Sequence, residues 1–408
     1  MARLVLDVSP LKESPGFRWL WVGSSVSQFG SQLTLFAVAL QVFTVTGSSL
    51  AVGAVGLCAA VPSVGLALLG GSTADAVDRR KLVLGTTSGL ALVSVGFVVQ
   101  AALGNRAVWV LYALVVVQGL VSAVNAPARR TFVARLLPKR QLAAGAALTM
   151  AAMHASAIAG PVVAGVIAGA WGLKVCYLVD ALSFAASFIG VARLPSMRPE
   201  GAPARPGLRA VGEALGVVKR DRVLLGAFLA DLCVTLVGSP VALFPAVNVE
   251  RFGGAAQTLG LLTAAVAVGG LLGSTFSGPA LRVRAQGRAQ LILCIAWGVF
   301  TCGFGLSYGL VPALVFLTLS GAADALIVVL RSAVVQAVTP DRYRGRITAA
   351  DYVVGVSGPQ AGRFRAGAVA TLTSTTASAV GGGLAAAGTA VLLWVTLPRF
   401  ARYRSSED

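Results

Sequence analysis

The chain has 408 residues, of which 56% are hydrophobic and only 12% charged. Soluble domains carry about 25% charged residues, so this composition excludes an ordinary water-soluble fold and points to lipid as the solvent. The formal net charge of +18 would suit nucleic acid, but the basic residues lie in short loops between apolar runs, where they set membrane topology instead.

About 20 apolar residues cross the hydrocarbon core as a helix, because backbone groups in lipid must pair within their own segment. Such runs recur at 18–43, 48–70, 82–103, 108–129, 142–168, 172–193, 223–246, 258–280, 289–308, 312–331, 346–371 and 376–397. The first is longer than a signal-peptide core and no small-residue cleavage site follows it, so it is expected to be a retained helix. It carries Ser24, Gln28 and Gln32 at i, i+4 and i+8, a spacing that lines one helix face. The second span is followed by Gly71-Ser-Thr-Ala-Asp75-Ala-Val-Asp78-Arg79-Arg80-Lys81. The fourth repeats the polar spacing with Gln118, Ser122 and Asn125. The fifth holds His154, read as a packing residue, and the small-residue stretch Ser156-Ala-Ile-Ala-Gly160-Pro161-Val-Val-Ala164-Gly165. Asp180, Ser183 and Ser187 form another polar stripe on the sixth.

Residues 194–222 are the one long loop. Pro195, Pro199, Pro203 and Pro206 favour an extended linker. Leu208, Val211, Leu215 and Val218 then share one face, which predicts a short amphipathic helix at the membrane surface.

The seventh span bears Asp231, Thr235 and Ser239 in helical spacing, and the tenth bears Ser320 and Asp324. An ionisable side chain within a span costs about 2.5–3.5 kcal/mol on insertion scales, so each needs a purpose. Asp231 and Asp324 are therefore candidates for carrying protons or binding substrate, with a structural ion pair as the alternative. Arg331 follows Asp324 by seven residues and shares its face, which makes it a candidate for the same cavity. Its position beside a loop, matching that of Arg129, instead places it near the interface. In the eleventh span, Gly358, Pro359 and Gly362 beside Arg363 and Arg365 predict a kinked or partly unwound helix. The five cysteines all fall inside spans and are read as small packing residues without a disulfide framework.

Lys and Arg fall on alternate loops. One side holds Arg79, Arg80, Lys81, Arg129, Arg130, Arg282, Arg284 and Arg342 among others, the opposite side only Arg106, Lys174 and Arg251. Both termini are then cytoplasmic, which needs an even number of spans. A single offset of 202 residues matches Gly71 with Gly273, Arg80 with Arg282, Gly119 with Gly321, Arg129 with Arg331 and Pro138 with Pro340. The expected fold is an all-α membrane protein of twelve transmembrane helices, built as two six-helix bundles related by a parallel internal repeat. Its parts are an N-terminal bundle over 1–193, a cytoplasmic linker over 194–222 and a C-terminal bundle over 223–408.

These features resemble the major facilitator superfamily. Gly71, Asp75, Asp78, Arg79 and Arg80 match its loop signature after the second helix, with Ala76 and Asp78 where the family often has Arg and Gly. Gly160, Pro161 and Gly165 match the antiporter signature of the fifth helix. A third signature, on the fourth helix, keeps Gln118-Gly119 but has Val115 in place of its arginine. The stretches Arg129-Arg130-Thr131-Phe132, Pro340 to Arg346 and Gly358 to Gly367 look like the enterobactin-exporter and drug-efflux branch. The resemblance implies that Asp75 gates the cytoplasmic side and that helices one, four, seven and ten line a central cavity. Gln28, Gln32, Gln118, Asn125, Asp231, Thr235, Ser320, Asp324 and Arg331 would then form its wall.

No Walker-type loop offers ATP drive, and no His/Cys/Glu cluster suggests a metal site or a hydrolase, so no enzyme, cofactor or metal is expected. The expectation is a proton-coupled exporter of a small amphipathic compound (siderophore or drug), working by alternating access. It is expected as a monomer in the bacterial cytoplasmic (inner) membrane. The rivals are an uptake carrier or facilitator of the same fold and a non-transporting sensor or partner subunit.

Overall fold

The computed structural model describes residues 7–69, 78–197, 212, 216–340 and 343–404. The described residues are helical, with no strand among them. The long helices in chain order are α1 (Pro15–Thr46), α2 (Ser49–Leu69), α3 (Arg79–Ala102), α4 (Val108–Leu136), α5 (Leu142–Trp171) and α6 (Leu173–Ala192), then α7 (Arg222–Arg251), α8 (Ala256–Thr275), α9 (Gln286–Leu306), α10 (Leu310–Val338), α11 (Arg344–Leu372) and α12 (Thr375–Thr396). Among the described residues eleven helices, all of these but α11, are long and apolar enough to cross a membrane. α11 has 29 residues but carries Asp351, Arg363 and Arg365 along its length.

Turns between helices use glycine where the chain must reverse. Gly47 (φ 62°) separates α1 from α2 and Gly172 (φ 83°) separates α5 from α6, backbone angles that a side chain disfavours. The eleventh span is not unwound: α11 is continuous helix through Pro359, Arg363 and Arg365. The interruption falls in α7 instead, where an uninterrupted span was expected. There a π-helical turn over Cys233–Gly238 ends at Ser239, whose backbone is not helical, and a short 3-10 turn, Val241–Leu243, restarts the helix. Pro240 causes the break, since it donates no amide and biases the preceding residue away from helical angles.

The chain divides into two compact units, Met1–Gln41 with Val61–Arg205, and Val42–Ala60 with Pro206–Asp408. The first unit is knit by polar ties among apolar helices. Tyr177 stacks on Phe97 with ring centroids 5.2 Å apart, and its hydroxyl donates to Gln41 Oε1 at 2.7 Å. Gln41 and Gln100 exchange amide hydrogen bonds at 3.0 Å in each direction. Such bonds satisfy polar groups that lipid and core leave no water to satisfy.

The second unit packs around a buried cluster that includes Phe228, Trp297, Ile327 and Phe400. Gly226 and Gly287 let the Phe400 residue sit directly against their helices, and Gly238 makes room for the Trp297 ring. The start of α2 belongs to this unit: Gly53 and Gly56 face Arg363 and Gln360 of α11, and Gly367 faces Ser49. Close approach of backbones through small residues is how helices associate in a bilayer.

Gly71 and Asp75 lie outside the described residues, as do Leu208, Val211 and Leu215 of the expected amphipathic helix. Val218, from the same expected helix, is buried in the core of the second unit.

Candidate functional site

Asp231 stands at the end of the regular first part of α7, immediately before the π-helical turn. It is 2% exposed. Across from it, Arg331 of α10 is 5% exposed, and its Nη1 donates to Asp231 Oδ2 at 3.1 Å. The same Nη1 lies 3.3 Å from Asp351 Oδ1 on α11. The Phe228 ring covers the guanidinium, with Cζ 5.9 Å from the ring centroid. Asp324, two turns before Arg331 on α10, is half-buried and lies within electrostatic reach of both Asp231 and Arg331.

Two carboxylates thus flank one guanidinium, with a third, Asp324, within electrostatic reach. Burying a charge is costly unless it is paired, and here two acids exceed the cations that could pair them. A cluster of that composition takes up a proton or a cation when the surroundings exclude water. Among the described residues no group of three His, Cys, Asp or Glu is placed to hold a metal ion.

The structure places Asp231 and Arg331 in direct contact, with Asp324 within electrostatic reach of both. Arg331 is buried within the second unit, where Asp231 and Asp351 offset the cost of its charge. Asp351 was missed, although an acid inside the eleventh apolar run is a readable signal. The hydroxyls of the two polar stripes serve their own helices. Thr235 Oγ1 donates to the Asp231 carbonyl at 2.9 Å, and Ser320 Oγ donates to that of Leu317 at 2.8 Å. Thr235 also lies in the π-helical turn and against Gly358 and Gly362 of α11.

In the first unit Gln28, Gln32 and Gln118 are half-buried. Asn125 is 6% exposed and donates to Thr86 Oγ1 at 2.7 Å, so it ties α4 to α3. Gly160, Pro161 and Gly165 are buried in α5, and Gly160 faces Gln32 of α1. Asp78 caps α3: it accepts from the Arg80 amide at 2.9 Å, from the Met197 amide at 3.2 Å and from Ser196 Oγ. The Ser196 bond foremost, against slight desolvation and with help from the backbone amides, holds its carboxyl below the usual range. Arg79 follows with its amide on the Met197 carbonyl at 3.0 Å, and the Arg80 guanidinium donates to the Ala192 carbonyl. These residues fasten the start of α3 to the end of α6.

The Asp180 stripe proved to be the polar centre of the first unit. Its carboxylate is fully buried and accepts from Thr34 Oγ1 at 2.7 Å, Ser94 Oγ at 2.8 Å and Ser31 Oγ at 3.4 Å. Helices α1, α3 and α6 meet there.

Long apolar helices with buried, incompletely compensated charges mark a polytopic membrane protein, and its family and relatives make it a transporter, not an enzyme. The chain belongs to the transmembrane secretion effector family of the major facilitator superfamily, whose pattern matches residues 7–407. It is 25% identical over 401 residues to the enterobactin exporter EntS of Citrobacter koseri, covering 98% of this chain and 96% of that one. With the enterobactin exporter EntS of Shigella flexneri the identity is 24% over 403 residues, covering 98% and 96%. Solved structures of the same fold include a POT family transporter in complex with 5-aminolevulinic acid (TM-score 0.73, 11% identity, 95% of this chain and 97% of that one). The nucleoside transporter NupG is similar to the same degree (TM-score 0.73, 13% identity, 95% and 99%).

Proposed function

We propose that the chain is a proton-coupled exporter of a small amphipathic compound, of the siderophore or drug class, working by alternating access in the bacterial cytoplasmic membrane. The observation that carries this reading is the buried Asp231–Arg331 pair with Asp324 beside it. Energy coupling requires a group that can gain and lose a proton away from bulk water, and this cluster supplies three carboxylates against one fixed positive charge. α11 serves as the twelfth span, both termini are cytoplasmic and the chain acts as a monomer. Asp75 and its neighbours act as the cytoplasmic gate. The relatives named as enterobactin exporters favour export over uptake and make enterobactin the first probe to try.

The test uses inverted membrane vesicles that contain the full chain and are acidified inside by respiration. Adding enterobactin should draw protons out of the lumen and accumulate the compound inside. A panel of amphipathic antibiotics run in parallel extends the test to the drug class. Substrate movement that ignores the proton gradient would overturn proton coupling, and accumulation only in right-side-out vesicles would establish the uptake carrier instead.

A further inference from the structure

The Arg331 guanidinium has two acidic neighbours but bonds only one of them. Its Nη1 donates to Asp231 Oδ2 at 3.1 Å, while Asp351 Oδ1, 3.3 Å from the same nitrogen, has no hydrogen-bond partner. The two acids differ in setting: the Asp231 side chain is 3% exposed and that of Asp351 31%. They also differ in element, since Asp231 belongs to α7 and Asp351 to α11. The Arg331 Nη2 lies toward Gly355 of α11, which presents no side chain to it.

We propose that Arg331 is a two-position switch, held by Asp231 when that acid is ionised and passed to Asp351 when a proton neutralises it. The inference deepens the proton-coupled reading and rests on it. Asp324 lies on the same helix face as Arg331 and within reach of Asp231, so it is the group through which a proton approaches the pair. A neutral Asp231 attracts the guanidinium only weakly. The charge then has one remaining ionised acid close by, and the shift from 3.3 Å to a full hydrogen bond is a small rotation. The exchange loosens α10 from α7 and tightens it onto α11, which gives a local protonation a mechanical output. Among the described residues the Cys294 thiol of α9 is within electrostatic reach of Asp231 and Asp324, and Cys233 of α7 lies against it. α8 and α12 carry no titratable side chain. Asp351 is a positioning residue in this scheme: it receives Arg331 and need not touch the transported compound.

Hydrogen–deuterium exchange of the full chain in lipid nanodiscs, compared at pH 6 and pH 8, reads the switch without a substrate. Wild type should gain protection over the first turns of α11 at the lower pH, by about tenfold, as befits coupling between two states. Asp231→Asn should show the low-pH pattern at both values, Asp351→Asn should lose the pH difference, and Asp351→Glu should restore it. Retention of the wild-type difference in Asp351→Asn would overturn the switch. So would a wild-type pattern blind to pH in a chain whose enterobactin transport follows the proton gradient. If transport in the vesicle assay ignores the gradient, the proton reading itself falls and the switch falls with it. The two failures are therefore told apart by running both assays on the same preparation.

Discussion

Gln32 of α1 lies directly over Gly160 of α5, so close that a single methyl group at Gly160 would collide with the Gln32 side chain. The glycine is thus set by packing, with the polar side chain of one helix resting on the bare backbone of another.

Gly160→Leu should therefore strain this contact. Inserting methylenes into a filled space costs about 1–3 kcal/mol, so the melting temperature of the purified protein should fall by several degrees. Gly85 of α3 faces open space and is the control. Gly85→Leu should leave the melting temperature unchanged or slightly raised, because leucine is the better helix former. Equal tolerance of leucine at the two positions would remove the packing argument.

Asp180 predicts a separation of stability from coupling. It accepts hydroxyl donors from α1 and α3 while sitting on α6. Asp180→Ala leaves those hydroxyls without their shared acceptor, at about 1–3 kcal/mol for each polar group left unpaired. The loss is reduced where a hydroxyl turns back to a carbonyl of its own helix. Asp180→Asn keeps the shape and one acceptor oxygen and should cost less. Thermal unfolding in detergent should rank wild type above Asn above Ala, with proton-driven transport per folded molecule unchanged in Asp180→Asn. A stable Asp180→Asn that no longer couples to protons would move the proton pathway into the first unit.

Helix existence was legible in the sequence because length and apolarity dominate in lipid, and among the described residues eleven of the expected spans coincide with helices long and apolar enough to cross a membrane. The irregular places were read less well. Pro240 and Pro359 both stand inside apolar runs, yet one breaks α7 and the other leaves α11 continuous. Hydropathy treats both runs alike and does not record which proline interrupts its helix. Asp231, Asp324 and Arg331 were legible as a group because intramembrane charges are rare enough to be noticed singly. The Asp180 hub and the pairing of Asp351 with Arg331 were not, since both depend on partners from distant helices that only the packed fold brings together. Asn125 shows the converse: its spacing suits a cavity wall, but a hydroxyl on the adjacent α3 claims its amide.

The cap of α3 gives a prediction on pH. The hydrogen bond from Ser196, with those from backbone amides, lowers the Asp78 carboxyl below its ordinary range. A group whose folded value is depressed contributes stability above its unfolded value and loses it as pH falls through the folded one. The contribution is therefore full at neutral pH and disappears only on the acid side of the ordinary carboxylate range. Asp78→Ala should cost about 1 kcal/mol at pH 7, typical of a helix cap, with the electrostatic part reduced by solvent at this exposed site. Thermal unfolding from pH 7 down to pH 3 should show the gap between wild type and variant narrowing. A gap independent of pH would assign the effect to packing and not to the charge.

The division of labour between Asp324 and Asp231 is the most direct test of the proposed mechanism. Asp231 holds Arg331 by a hydrogen bond at 3.1 Å, whereas Asp324 makes neither a hydrogen bond nor an ion pair among the described residues. Asp324 is therefore the acid with least to lose on taking up a proton, and Asp231 the one whose neutralisation has a structural consequence. Asp324→Asn fixes a neutral side chain of nearly the same shape. Accumulation driven by a proton gradient should fall by about tenfold or more, since a coupling free energy is removed, while downhill exchange of enterobactin across the same vesicles is retained. Asp231→Asn should lose coupling and also lower thermal stability. Breaking a buried ion pair costs about 3–5 kcal/mol when the remaining charge is left alone, and the cost here falls below that because Asp351 still stands 3.3 Å from Arg331. The measurements are the ratio of uphill to downhill transport and the melting temperature for each variant. If Asp324→Asn keeps full uphill transport while Asp231→Asn alone abolishes it, the proton-accepting role belongs to α7. If both variants keep the pH dependence of wild type, these carboxylates serve the fold alone and the chain is a facilitator.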